Sequence, residues 1–388
     1  MTHNTVVFIL LAGGAAFLGA QTQKDPAPKR VVKYGVPVVA GPMDSVLLKD
    51  YAPDSSLVVP QTKVDIARFT VIDVHSHSKM NNIKTADDVR KWVKIMDDVG
   101  IETSVVYLDA IGDEFEKTAA LFRPYGKRFI LYCSIDTHDI GAPDYPQRAV
   151  RELERCYRNG ARGVGELSDK GWGVIGGMAA ADEGFKNTPQ KLRMHPDDPR
   201  LDAFWEKCAE LKLPVSLHVA DHPSAWQPLG PHQERTPDFQ TFNLYGKDVP
   251  SYQELLNMRD RAIAKHPHTT FVACHLGNQG NDLASLAKVL DRYPNLYVDI
   301  AARDYELGRE PRTALKFLTK YKDRVLFGTD MGNDPAMYRG WWRLLETADE
   351  YIPGRIWWRL YALELPDPVL KAIYRDNALR ILNWKPRE

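Results

Sequence analysis

The sequence predicts an α/β chain folded as a (β/α)8 TIM barrel with an N-terminal extended arm and a C-terminal helical extension. Three observations predict it. From Phe69 onward, eight short β-branched and apolar runs alternate with amphipathic stretches. Each run ends in a polar or glycine-rich turn, and the runs are continuously apolar rather than half polar, which marks strands covered on both faces of a parallel sheet.

Ahead of the barrel, Val6 to Ala20 is almost wholly apolar and rich in small residues, too short for a membrane span, and Leu18-Gly19-Ala20 suits peptidase cleavage. Residues 1–20 therefore read as a signal peptide, although Met1 to Thr5 holds no Lys or Arg. A secreted or periplasmic protein with no membrane span after cleavage is expected. Residues 21–68, rich in Pro, Lys and Asp, read as an arm, and 69–388 as the barrel.

The eight runs are Phe69 to His77, Thr103 to Leu108, Phe129 to Ile135, Ala161 to Leu167, Val215 to Val219, Thr270 to Leu276, Leu296 to Ile300 and Val325 to Thr329. Helical periodicity fills the gaps. Val89, Trp92, Val93, Met96 and Val99 share one face behind a Thr85 cap, and Gly100 ends that helix. Leu201, Phe204, Trp205, Cys208 and Leu211 repeat the pattern before Pro214 opens the next strand. Neither GxGxxG nor GxxxxGK[ST] follows any run, so an open doubly wound sheet, the runner-up, lacks its phosphate loop.

Composition excludes other classes. Lys+Arg 51 balances Asp+Glu 51, and 44% of residues are hydrophobic, which speaks against disorder and against a nucleic-acid partner. Cys133, Cys156, Cys208 and Cys274 are too scattered for a zinc finger or a disulfide framework and read as packed thiols. The aromatic segment Trp341 to Trp384 is expected to pack under the barrel or against the arm, with some rings open to a dimer contact.

In such a barrel, chemistry gathers at the carboxyl ends of the strands. The first run ends Asp73-Val74-His75-Ser76-His77, which places two imidazoles on one side of a strand. The fifth carries His218, the sixth His275 and Asn278, and the eighth Asp330. One strand-end histidine is usually structural; four such strands point to a metal, because imidazole and carboxylate suit Zn²⁺ and related ions. Asp330 is the candidate base for a metal-activated water.

These motifs, in this order, resemble the amidohydrolase superfamily over Phe69 to Trp384. Val325-Leu326-Phe327-Gly328-Thr329-Asp330 and Tyr293-Pro294-Asn295-Leu296-Tyr297-Val298-Asp299 are most similar to the branch that includes aminocarboxymuconate-semialdehyde decarboxylase. The resemblance implies one divalent ion, zinc or else manganese, held by His75, His77, His218 and Asp330, with His275 as an acid/base or polarising group. It also implies a homodimer. Where binuclear relatives carry a carboxylated lysine, this chain has Glu166, open to three roles: bridging a second metal, serving substrate or proton transfer, or a structural salt bridge.

Long connections after the fourth and fifth runs, Asp169 to Pro199 and Asp221 to Pro250, are expected to shape specificity for a small-molecule substrate. Lys170, Trp172, His222 and Asn278 are the candidate substrate contacts there and nearby. Arg303 either grips a substrate carboxylate or pairs with Asp304 or Glu306. The sequence leaves a hydrolase acting on a lactone, ester or amide, a non-oxidative decarboxylase as the alternative, and metal binding without turnover. Export favours hydrolysis.

Overall fold

The computed structural model describes residues 54–176, 189–354 and 358–383, with short pieces between 31 and 50. The expected signal peptide, residues 177–188 of the long fourth connection, and Trp357 lie outside the described residues. The chain divides into two units, residues 1–58 and 59–388. In the first, Val31–Lys33 pairs antiparallel with Val36–Val38.

The second unit holds the barrel. Its strands are β1 (Val71–His77), β2 (Ile101–Tyr107), β3 (Phe129–Cys133), β4 (Ala161–Asp169), β5 (Val215–Val219), β6 (Phe271–Ala273), β7 (Leu296–Asp299) and β8 (Val325–Leu326). They pair in sequence order, every neighbour parallel. Backbone bonds just past β8 close the ring onto β1: Val74 N–H donates to Phe327 at 2.9 Å and Asp330 N–H to His75 at 2.8 Å. This is the (β/α)8 TIM barrel.

One main helix follows each strand: α1 (Ala86–Val99), α2 (Gly112–Phe122), α3 (Tyr145–Arg158), α4 (Asp202–Glu210), α5 (Tyr252–Lys265), α6 (Leu283–Arg292), α7 (Pro311–Lys320) and α8 (Pro335–Glu346). Local chemistry sets the ends of α1. Thr85 and Asp88 form a capping box, and Gly100 takes φ 91° at the C-terminus, where a side chain would be strained. Val89, Trp92, Met96 and Val99 are the buried stripe that its spacing predicts. In α4, Phe204, Trp205 and Cys208 face inward, and Leu201 and Leu211 flank the helix. All four cysteines are buried free thiols. No helix among the described residues is long and apolar enough to cross a membrane.

The core has two main parts. A shell between sheet and helices runs from Val71 to Tyr374 and includes Trp341 and Trp342. A second cluster joins Ile72, Val74, Val105, Tyr107, Ile130, Tyr132, Val272 and Leu326 to Ala378 and Leu382 of the C-terminal extension. The short helix Asn377–Ile381 is held there by Asn377, whose amide donates to the Val325 carbonyl at 2.7 Å. Residues 59–68, read from sequence as the end of the arm, belong to the barrel unit: Thr62 donates its N–H and hydroxyl to Asp349 at 2.7 and 2.6 Å.

The sixth run is shorter than its hydropathy predicts. Its ladder ends at Ala273, after which His275, Leu276 and Asn278 take φ 61°, 53° and 56°. Apolar character therefore persists through Leu276 while the backbone has already turned. The turn carries His275 into the barrel mouth.

Candidate metal centre

Four imidazoles and two carboxylates meet at the carboxyl end of the barrel. The Glu166 carboxylate, from β4, lies between them: Oε1 is 2.7 Å from His218 Nδ1, 3.1 Å from His275 Nε2 and 3.7 Å from His75 Nε2, and Oε2 is 3.5 Å from His77 Nε2. Asp330 faces the same histidines. Its Oδ1 is 3.5 Å from His75 Nε2 and 3.4 Å from His77 Nε2, and its Oδ2 is 3.8 Å from His275 Nε2.

A layer of buried groups aims these rings. Asp299 accepts from His75 Nδ1 at 2.9 Å, and Asp109 pairs with His77 Nδ1 at 3.3 Å. Each proton on Nδ1 leaves the Nε2 lone pair turned inward, as a metal ligand requires. His275 Nδ1 bonds the Ala301 carbonyl at 2.8 Å, with the same consequence. Below them Asp73 accepts from the N–H of His75 and Thr329 and from the hydroxyls of Ser76, Thr329 and Tyr338.

Charge follows from this packing. Burial would push the Glu166 and Asp330 carboxyls up, but the surrounding imidazoles hold both well below the usual carboxylate range. In the Glu166–His218 pair the carboxylate is the charged partner. Burial leaves His218 neutral, pushed down to about 4, although Glu166 works against it. At His75 burial is outweighed by Asp299 and Asp330, which lift the metal-free ring to about 9, so a cation taking the Nε2 lone pair would displace a proton there.

The donor set fits a divalent cation. His75 Nε2 is buried with no hydrogen-bond partner, in a ring whose other nitrogen is already committed. Such an atom carries a desolvation cost that a cation would relieve. Among the described residues, the triads His75–His77–Glu166, His75–His275–Asp330 and Glu166–His218–His275 each place their donor atoms within 4.8 Å of one another. Nitrogen and oxygen donors in this mix suit zinc or manganese.

The other predicted residues occupy one side of the mouth. Lys170 Nζ lies 3.0 Å from Asp221 Oδ2 and 4.9 Å above the Phe242 ring, and its side chain keeps 22% exposure. Trp172 is half-buried against Phe242, beside the cluster of Ala225, Phe239 and Leu244. His222 caps the turn Pro223–Trp226 by accepting the Ser224 N–H; burial, with Arg235 and Arg303 nearby, pushes its ring down to about 4.

Two further candidates are engaged within the protein. Asn278 donates its amide to the Val219 and Ala220 carbonyls, both at 3.1 Å, and accepts from Arg303, so its side chain braces the turn after β6. Arg303 is buried, and of the two roles left open by the sequence it shows the internal pairing: Nε is 3.2 Å from Glu306 Oε2, and its other donors reach Ala302, Tyr305 and Asn278. Sequence reasoning missed Asp109 and Asp299 as site residues. Both are carboxylates at strand ends, the same signal that singled out the histidines.

The sequence profile of the amidohydrolase family matches residues 112–384. No curated protein matches the chain. Solved structures resemble it at low identity. 2,6-Dihydroxybenzoate decarboxylase from Rhizobium is 19% identical, over 81% of this chain and 99% of its own, with a TM-score of 0.47. 5-Carboxyvanillate decarboxylase from Novosphingobium aromaticivorans, complexed with manganese and 4-hydroxy-3-methoxy-5-nitrobenzoic acid, is 14% identical over 82% and 96%, with 0.48. An amidohydrolase from Burkholderia multivorans with bound HEPES is 14% identical over 81% and 100%, with 0.44.

Proposed function

Because this chain belongs to the amidohydrolase family, we propose that it is an exported metal-dependent hydrolase in which water attacks the carbonyl of a small carboxylated lactone, ester or amide. His75, His77, His218 and Asp330 would hold the cation, with Glu166 in their midst as a further ligand. A divalent ion there, zinc or manganese, supplies Lewis acidity that activates water and polarises the substrate carbonyl.

The observation that carries the reading is Asp330. Its carboxylate is held ionised by His75, His77 and His275, yet it keeps 20% exposure while the Glu166 side chain keeps 8%. An ionised carboxylate open to the mouth is suited to take a proton from the attacking water. Oδ2 is the oxygen turned to His275 Nε2. Since His275 Nδ1 is engaged by Ala301, Nε2, which also lies 3.1 Å from Glu166 Oε1 and 3.2 Å from His218 Nδ1, is the nitrogen that would receive that proton and hand it to the leaving group. Asp330 is thus the general base and His275 the relay.

Lys170 is the anchor for a substrate carboxylate. Its ammonium bonds one carboxylate and one ring face, which leaves donor capacity toward the mouth. The donors of Arg303 are turned to Glu306, Asn278, Tyr305 and backbone carbonyls. As proposed wall residues, Trp172 meets the Phe242 ring under Lys170 and His222 stacks on Phe239 of the neighbouring apolar cluster, while Asn278 accepts from Arg303.

The test is turnover of a panel of carboxylated lactones, esters and amides in ¹⁸O-labelled water, beside a His75→Ala/His77→Ala double variant. One ¹⁸O atom in the product acid, lost in the variant, is the expected result. Release of CO₂ with no water-derived oxygen in the product would replace hydrolysis with the decarboxylase alternative.

A further inference from the structure

We infer that Asp299 is the positioning residue that sets the tautomers of both His75 and His275, so that one buried carboxylate decides whether the centre can hold its cation. The inference rests on the metal-dependent reading above. Asp299 stands at the end of β7 with no exposure, as does His75. Its two oxygens do different jobs. Oδ2 accepts from His75 Nδ1 at 2.9 Å, whereas Oδ1 accepts two backbone N–H groups, His275 at 2.7 Å and Ala301 at 3.1 Å.

The second pair of bonds reaches the other ring. Ala301, held by Asp299, offers the carbonyl that takes His275 Nδ1 at 2.8 Å. The His275 N–H, held by the same oxygen, belongs to a residue at φ 61°, a conformation that costs a non-glycine residue energy and needs such support. Both imidazoles therefore turn Nε2 to the centre because of one side chain.

The arrangement makes Asp299→Asn a directional probe. Two backbone donors face Oδ1, so the asparagine must put its carbonyl oxygen there and its NH₂ against His75 Nδ1. An N–H facing Nδ1 forces that nitrogen to accept, and the ring proton moves to Nε2. It then points at Glu166 and Asp330, where it blocks ligation. Asp299→Ala removes the acceptor without installing a donor.

The experiment measures zinc affinity by chelator competition for the wild type, Asp299→Asn and Asp299→Ala, with near-ultraviolet circular dichroism confirming that each is folded. Ring tautomers are read by ¹⁵N NMR on the metal-free proteins at alkaline pH. Removing an outer partner of a metal-bound histidine costs about 10- to 100-fold in affinity. We expect Asp299→Ala near the lower end and Asp299→Asn at or beyond the upper, with the His75 proton on Nδ1 in the wild type and on Nε2 in Asp299→Asn. Where the wild type binds zinc, equal affinity in Asp299→Asn overturns the inference, as does the same His75 tautomer in both proteins. A tautomer switch in a wild type that binds no zinc or manganese supports the positioning role and overturns the metal-dependent reading instead.

Discussion

Thr329 donates both its hydroxyl and its backbone N–H to Asp73, at 2.8 and 3.2 Å. The last strand is thereby stapled to the first at the level where His75 and Asp330 leave them. Tyr338 of α8 and Ser76 share the same carboxylate. Asp73→Ala strands several buried donors at once, and since an orphaned buried donor costs about 1–3 kcal/mol, we expect a loss of about 3 kcal/mol. Urea unfolding measures it; a midpoint within error of wild type would show that the staple contributes nothing.

Trp342 closes the helical ring as Asp73 closes the sheet. Its indole is fully buried against Phe327, Tyr338 and Tyr374, and Nε1 donates to the Val99 carbonyl at the end of α1, at 3.1 Å. Trp342→Ala should destabilise by about 3–5 kcal/mol through the cavity it leaves. Trp342→Phe should recover about half of that, because most of the packing returns and only the indole hydrogen bond is lost. Both follow from denaturant midpoints.

For Lys170→Met, the proposed anchor role predicts a split between constants. Loss of a charge-assisted hydrogen bond, about 1.5–3 kcal/mol, should raise KM for a carboxylated substrate about tenfold to a hundredfold while kcat changes little. A neutral analogue should show no such change. A fall in kcat with KM unaltered would place Lys170 in the chemical step.

Asp349 supplies a pH test. Burial opposes its charge, but Thr62 and Arg343 win and hold the carboxyl below 3.8. A depressed folded value stabilises above the unfolded pKa and loses that contribution as pH falls through the folded one. Asp349→Asn should therefore cost about 2 kcal/mol at neutral pH, and the gap to wild type should shrink below pH 3.8. Paired urea titrations at neutral and acid pH read it directly; a gap that does not change would discard the charged pair.

Chelation should separate site from scaffold. The barrel is held by its apolar clusters and strand ladders rather than by the candidate ligands, so the far-ultraviolet dichroism of the stripped protein should match the loaded one, while turnover is lost. Zinc at a hundredfold above its Kd should add about 2.7 kcal/mol to stability, visible as a rise in Tm that His75→Ala/His77→Ala does not show.

Much of this was legible in the chain order. Eight continuous apolar runs, the Thr85 and Gly100 signals around α1 and the strand-end placement of His75, His77, His218, His275 and Asp330 are local patterns, set by burial on both faces of a strand and by backbone preferences at helix ends. They suffice for a barrel with a ligand-rich mouth. The closing helix is equally plain from Asp376-Asn377-Ala378 followed by Leu379, Ile381 and Leu382.

What the linear pattern could not carry is phase and partnership. All seven residues of β1 are buried, and its pairing with β2 slips between Asp73 and Ser76, so hydropathy alone could not say which side chains enter the barrel. That Glu166 lies within 3.7 Å of four imidazoles is likewise invisible in the chain order. That Asn278 accepts from Arg303 depends on the left-handed turn after β6, which no local pattern shows. Asp109 and Asp299 lie 32 and 224 residues from the histidines they orient. Hydrogen-bond geometry and ring tautomer depend on distances across the closed barrel, and only the tertiary structure brings those atoms within reach.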